Sequence, residues 1–327
     1  MVKVVVSCPR ERIYRYNVQP PAGFTLEYIK TPYTDEELIE AGEGATFLFL
    51  SLSPAGKAVI EQLKSTLKLI QSEGVGYDGI DIEAAREAGI YVCNAKGVNK
   101  VAVAEHTTGL ILAALRRTAE ADREIKKGNF VSSYQDYEEK GMRELQSCHV
   151  GLVGLGDIGK ETAKRLYAFG CRISYCDVIR QPELEQELGL QFITLEELYR
   201  TCDIISLHVP LLPETENLIN KDTIALMRKD AIIINTARGP IINQQDLAQA
   251  LIEGRIEGAA IDTLSPQPPG KDHPLLNLPE EAANRLTLTT HIAGITTQAF
   301  TNMQITAWNN MKKVLNGQRP DNIVNGL

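Results

Sequence analysis

From its second residue the chain alternates short apolar runs with segments of helical period. The order is VKVVVS, then ELIEAG, ATFLFLS, then GKAVIEQLKS, LKLIQS, then DIEAAREAG, then IYVCNA. Strands of this length separated by helices form β-α-β units, because parallel neighbours need a crossover connection. Their near-continuous apolar character predicts a parallel sheet covered on both faces. The pattern restarts at His149 with HVGLVG, RISYCDV, CDIISLHVP, AIIINTA, GAAIDTL and LTLTTHIAG, about six strands with helices between them. The expected class is therefore α/β, with two parallel-sheet lobes.

Three segments lie outside this alternation. VAVAEHTTGLILAALRR is apolar nearly all round, which predicts a buried helix between the lobes. Residues 118–146 are polar and poorly periodic, as expected of an arm or an interface. The helical segment from Thr297 cannot complete a domain alone and must dock on one of the others.

At 327 residues the chain is long enough for two domains. Its formal charge of −8 argues against nucleic acid as main partner, although a few local cations can still receive a small anion in one cleft. Cysteines at 8, 93, 148, 171, 176 and 202 show neither zinc spacing nor a disulfide framework. The N-terminal apolar run is too short for a signal peptide, and no apolar stretch reaches the ~18 residues of a membrane span. These features predict a cytoplasmic protein without a metal site.

The sequence HVGLVGLGDIGKETAKRL contains Gly154, Gly156 and Gly159 in a G-x-G-x-x-G pattern after an apolar strand and before a helix. In that context Gly154 permits the tight turn, Gly156 lets a pyrophosphate approach the backbone, and Gly159 brings helix and strand together. Free N–H groups and the helix dipole then hold the anion. Asp177 ends the next strand, where an acid accepts from an adenosine ribose and repels a 2′-phosphate. NAD is thus expected rather than NADP, with Arg180 as the nearby residue that could soften the preference.

Arg238, Asp262 and His291 follow three successive later strands, so they should converge beyond the carboxyl edge of the sheet. The set suits hydride transfer to a 2-oxo acid. Arg binds the carboxylate and polarises the carbonyl, and His protonates the developing alkoxide. Asp262 could accept from the nicotinamide carboxamide.

The ordered stretches GVGYDGIDIEAAREAGIYVCNAKGVNKVAVAEHT, GLVGLGDIGKETAKRL, HVPLLPETENLI, INTARGPIIN, GAAID and THIAG resemble the D-isomer-specific 2-hydroxyacid dehydrogenase family over essentially the whole chain. The resemblance implies two Rossmann/flavodoxin-like lobes with the active site in the cleft between them. Residues 1–100 with 297–327 would form the substrate-binding domain, and 101–296 the NAD-binding domain. The 118–146 arm would serve a homodimer. Arg238 would bind substrate and His291 act as acid/base. Asp157, Ile158, Asp177, Val209, Pro210, Thr215, Thr236, Ala237 and Asp262 would line the cofactor. The backbone of Val75 and Gly76, with Asn99, would meet the substrate carboxylate.

The family pattern places a Glu five residues after the Asp, paired with the His, whereas this chain has Gln267. An amide can accept from the imidazole and orient it, but it cannot stabilise imidazolium by charge. The expectation is a 2-oxoacid reductase whose His291 has a lower pKa than a His–Glu pair gives. Two alternatives stay open: a formate dehydrogenase-like activity, which resembles this site in pairing Gln with His, and an NAD-binding corepressor-like interaction protein. Leu52 stands where a phosphate-binding relative would supply a basic residue. With only Lys57 nearby, a small, mostly apolar 2-oxo acid is expected over a phosphorylated one.

Overall fold

The computed structural model describes residues 1–51 and 53–327. The chain divides into two compact units, Met1–Asn99 with Ile295–Leu327, and Lys100–Gly294.

The first unit carries a five-stranded parallel sheet. Its strands are β1 (Val2–Val6), β2 (Phe24–Tyr28), β3 (Phe47–Leu50), β4 (Leu69–Ser72) and β5 (Tyr91–Cys93), in the spatial order β2-β1-β3-β4-β5. β3 and β4 are buried at every position, β3 as an unbroken apolar run and β4 with Gln71 and Ser72 buried behind Leu69 and Ile70. β2 is a strand that the reading of apolar runs passed over. FTLEY alternates between half-buried and exposed residues at the sheet edge, so only one side is covered and no continuous apolar run marks it.

The C-terminal helix Thr297–Leu315 packs on this sheet. Its Ala307, Trp308 and Met311 share a core with Val4, Val6, Phe47 and Phe49, and the Trp308 ring lies 5.5 Å from that of Phe49. Behind it, the buried Asn325 ties the chain end to β5, accepting from Val92 N–H and donating to Ile90 C=O.

The second unit carries a seven-stranded parallel sheet of β6 (His149–Val153), β7 (Arg172–Cys176), β8 (Gln191–Phe192), β9 (Ile204–Leu207), β10 (Ile232–Asn235), β11 (Gly258–Ile261) and β12 (Leu286–Leu288). The order is β12-β11-β10-β9-β6-β7-β8, one strand more than the apolar runs suggest. The addition is the exposed two-residue edge strand β8. Connections run one way from β6 to β8 and the other way from β9 to β12, so the sheet reverses between β6 and β9. A crevice opens at such a point beyond the carboxyl ends of the strands.

The helix Lys100–Leu115 places Leu110, Ile111 and Leu115 against Val150, Leu152, Ile234 and Ala260. It is not buried all round, since Val101, Glu105 and Gly109 are exposed. The 118–146 segment folds into two helices, Thr118–Lys126 and Phe130–Lys140. The second of these buries no side chain and exposes Phe130, Val131 and Tyr134. Among the described residues no helix is long and apolar enough to cross a membrane, no cluster fit to hold a metal occurs, and all six cysteines are unpaired.

Trp308 is the largest side chain that the C-terminal helix buries against the first sheet. Trp308→Ala is expected to cost about 3–5 kcal/mol, read as a lower midpoint of urea unfolding. An unchanged midpoint would mean that the helix adds nothing to the core of that unit.

Candidate active site

The turn after β6 is shaped by its glycines. Gly154 has φ +98°, and a Cβ there would lie 2.8 Å from the His208 carbonyl oxygen. A Cβ on Gly159 would lie 2.4 Å from the carbonyl oxygen of Gly154, so the helix Asp157–Ala168 approaches the turn as closely as backbone allows. A Cβ on Gly156, the residue that caps this helix, would meet nothing within 4 Å. Open space in front of a helix N-terminus suits a pyrophosphate. Asp157 is exposed and Ile158 half-buried on the first turn.

Asp177 follows β7, and its carboxylate accepts from the N–H of Leu155 and from the N–H of Ile179 at 3.0 Å. Each oxygen keeps a further acceptor site, so the acid that braces the glycine turn can also receive a ribose hydroxyl. Arg180 is otherwise engaged. It pairs with Glu185 at 2.8 Å and lies over the Phe192 ring, and the pairing, with a hydrogen bond from Tyr175, pulls the Glu185 carboxyl down to about 2. On the other side of the reversal point, Val209 and Pro210 leave β9, and Thr215 Oγ1 donates to the Pro210 carbonyl at 2.6 Å, closing that loop. The residues of this unit therefore fit a dinucleotide.

Beyond β10, Thr236 is buried and hydrogen-bonded to Thr107 at 2.9 Å, while Ala237 is half-buried. Asn235 fixes the next turn from below. Its Oδ1 accepts from Ala237 N–H at 2.9 Å, and its Nδ2 donates to the Arg238 carbonyl at 2.9 Å. Arg238 then enters a 3₁₀ turn whose Gly239 sits so close to Leu264 that a Cβ would lie 2.5 Å from that backbone. The exits of β10 and β11 are thereby held together.

Asp262, at the end of β11, is fully buried. Its Oδ1 accepts from the Thr289 hydroxyl and, at 2.9 Å, from Ile292 N–H; its Oδ2 accepts from Ala293 N–H at 3.0 Å. His106 Nε2 stands 3.5 Å from Oδ1 and 3.1 Å from Thr289 Oγ1. Burial raises the carboxyl pKa, but hydrogen bonds from His106, Thr289 and the backbone of residues 292 and 293 prevail and hold it near 2. This carboxylate is occupied within the protein. It holds the loop that carries His291, and its Oδ2, with one donor, keeps a further acceptor site.

His291 itself has φ +55°. That left-handed conformation costs roughly 1–2 kcal/mol for a residue with a Cβ. It is bracketed by His291 N–H donating to the Asp262 carbonyl at 2.8 Å and by the two following N–H groups bound to the Asp262 carboxylate. Its ring Nδ1 lies 2.9 Å from Gln267 Oε1. With an amide oxygen as acceptor, Nδ1 carries the proton and Nε2 is left for substrate. Burial lowers the ring's pKa below the ordinary histidine value and Arg238 pushes the same way, opposed by Asp262.

Arg238, Asp262, Gln267 and His291 thus gather at one edge of the second sheet. Val75, Gly76 and Asn99 belong to the first unit. There Asn94 Nδ2 donates to the Val75 carbonyl at 2.7 Å and Ser72 Oγ donates to that of Gly76, which fixes the loop after β4. Asn99 presents a buried Oδ1 with no partner among the described residues. Leu52 lies outside the described residues, and Lys57 is exposed at the start of its helix. Sequence reasoning assigned no role to His106, Thr107 or Thr289. The usable signal was the polar run Glu105, His106, Thr107 and Thr108 in the middle of an apolar helix.

Residues 108–293 match the family described as D-isomer specific 2-hydroxyacid dehydrogenase, NAD binding domain. The chain is 37% identical to a glyoxylate reductase of Thermofilum pendens, over 97% of this chain and 95% of that protein. It is 39% identical to a D-3-phosphoglycerate dehydrogenase of Methanocaldococcus jannaschii, over 91% of this chain but only 55% of that longer protein. Its structure superposes with a TM-score of 0.82 on D-lactate dehydrogenase from Aquifex aeolicus complexed with NAD and lactic acid, at 27% identity, covering 96% of each chain. The chain belongs to the D-isomer specific 2-hydroxyacid dehydrogenase family and is an NAD-dependent oxidoreductase.

Asp262→Asn tests the anchoring directly. A carboxyl held near 2 against an ordinary 3.8 contributes on the order of 2 kcal/mol. The depressed pKa means this stability is present above pH 3.8 and is lost as pH falls toward 2. The variant should unfold at lower urea than the wild type at pH 7, with a difference that shrinks below about pH 4. A deficit of equal size at both pH values would assign the loss to shape and not to charge.

Proposed function

We propose that this dehydrogenase reduces small 2-oxo acids with NADH to 2-hydroxy acids of the D series. The observation that carries the reading is the bond between His291 Nδ1 and the Gln267 amide oxygen, which turns Nε2 toward a substrate carbonyl oxygen. Bound NADH supplies the hydride. Arg238 orients the substrate carboxylate and polarises the carbonyl, and the backbone of Val75 and Gly76, with Asn99, receives the same carboxylate. Protonated His291 delivers its Nε2 proton to the oxygen as negative charge develops there. Gln267 then keeps the neutral ring in place. Asp157, Ile158, Asp177, Val209, Pro210, Thr215, Thr236 and Ala237 line the cofactor, with the glycine turn on its pyrophosphate. Asp262 positions the His291 loop and also accepts from the cofactor carboxamide. The exposed apolar face at Phe130, Val131 and Tyr134 supports a role for the 118–146 segment in a homodimer, and a cytoplasmic location fits a small-acid substrate.

The electrostatics set the direction of the pH dependence. Reduction needs His291 charged, and its pKa lies below the ordinary 6.5, so oxo-acid reduction should fall as pH rises through that lower value. Gln267 also supports a second reading, since formate oxidation releases carbon dioxide and asks no proton of the histidine. NADH consumption with glyoxylate, pyruvate and hydroxypyruvate between pH 5 and 8, with formate plus NAD alongside, separates the two. Gln267→Glu should move the break in kcat/KM upward by about 1–3 pH units. Turnover of formate alone would replace the reductase reading, and a break that ignores the substitution would remove Gln267 from the account of pH dependence.

A further inference from the structure

The short loop between β7 and the helix Pro182–Leu188 carries an acid, Asp177, and three residues later a cation, Arg180. Its backbone is pinned at both ends. Ile179 N–H donates to Asp177 Oδ1 at 3.0 Å, and Gln181 N–H donates to the Tyr175 hydroxyl at 2.7 Å. Tyr175 is fully buried in β7, so the second anchor is rigid. With the backbone fixed, the direction of the Arg180 side chain is set by what its guanidinium binds.

That partner is Glu185. Arg180 Nε donates to Oε1 at 2.9 Å and Nη2 donates to Oε2 at 2.8 Å, the two-pronged geometry in which a guanidinium matches a carboxylate. Glu185 is held in turn, because its Oε1 also accepts from the Tyr175 hydroxyl at 2.7 Å. The guanidinium lies 5.7 Å from the centre of the Phe192 ring, and that ring stands 5.2 Å from the ring of Tyr175. A lone ion pair this open to solvent contributes little. Here the pair belongs to a network of four side chains with one buried member, and its effect is on direction more than on stability.

The consequence is electrostatic. A free guanidinium three residues from Asp177 would offset the negative charge of that acid and present donors to a phosphate. Bound to Glu185, it is neutralised within its own pair. The charge of Asp177 then stands uncompensated at the ribose, and Glu183 and Glu187 add to it from the same helix. No role in cofactor choice follows for Glu185 from the glycine turn or from Asp177 alone.

We propose that Glu185 is a positioning residue that excludes NADP by holding Arg180 away from the 2′ position of the adenosine ribose. The preference for NAD then rests on the Glu185–Arg180 pair as well as on Asp177. The inference concerns the cofactor alone and stands whichever oxo acid is reduced.

The test measures dissociation constants of NADH and NADPH from nicotinamide fluorescence, with no oxo acid present. The proteins compared are the wild type, Glu185→Gln, Glu185→Ala, Arg180→Ala and the double variant Glu185→Ala with Arg180→Ala. Releasing Arg180 in Glu185→Ala should tighten NADPH roughly 10-fold, the effect of one added charged hydrogen bond, and leave NADH binding unchanged. Glu185→Gln, which keeps one acceptor oxygen, should gain less. The double variant should bind NADPH as weakly as Arg180→Ala. NADPH binding that ignores both Glu185 substitutions would overturn the inference. So would a gain that survives in the double variant, since it would assign the effect to the charge of Glu185 and not to Arg180. Equal loss of NADH and NADPH binding in both Glu185 variants would overturn it as well, making the pair a support of the loop and not a selector.

Discussion

The carboxylate of Asp262 joins the end of one parallel strand to the loop that follows another. It accepts from Thr289, Ile292 and Ala293 with no exposure to solvent, and His106 approaches it from a neighbouring helix. Those bonds are what keep His291 in a left-handed backbone conformation, because the residues on its C-terminal side are bound to the carboxylate and its own N–H to the Asp262 carbonyl. Without that clamp the ring would sample ordinary φ values and leave the edge where Arg238 stands. The orientation of the proton donor thus depends on a carboxylate bonded to the backbone that follows it and not to its ring.

Separating orientation from charge explains how a neutral Gln can stand beside the histidine. A Glu in that place would hold the ring and raise its pKa together. Here Gln267 holds the ring through one acceptor, while burial and Arg238 set its pKa low. The negative charge that opposes them is Asp262, whose carboxylate accepts from Thr289 and two backbone N–H groups. Proton donation is consequently tied to a more acidic range, while oxidation in the reverse sense, which needs the neutral ring, is favoured over a wider range.

Much of this was legible in the sequence. The β-α-β alternation announces two parallel sheets because both their faces are covered, and the glycine pattern between strand and helix announces the phosphate turn. The positions of Arg238 and His291 follow from strand ends alone. Two kinds of feature were hidden. Edge strands such as FTLEY and the two-residue β8 carry no continuous apolar run, since one side of each is wet. Long-range polar contacts were hidden too. No spacing links His106 to Asp262, or Arg12 to Glu73, because their proximity is created by sheet order and not by sequence distance.

The most direct test is the ¹⁵N NMR spectrum of histidine-labelled protein, with the His291 resonances assigned by loss in His291→Asn and followed from pH 5 to 8. The expected result is a neutral ring protonated on Nδ1, with a bare Nε2 and a pKa below 6.5. A ring protonated on Nε2, or one that titrates above 6.5, would contradict it and would return the charge on His291 to a partner other than Gln267.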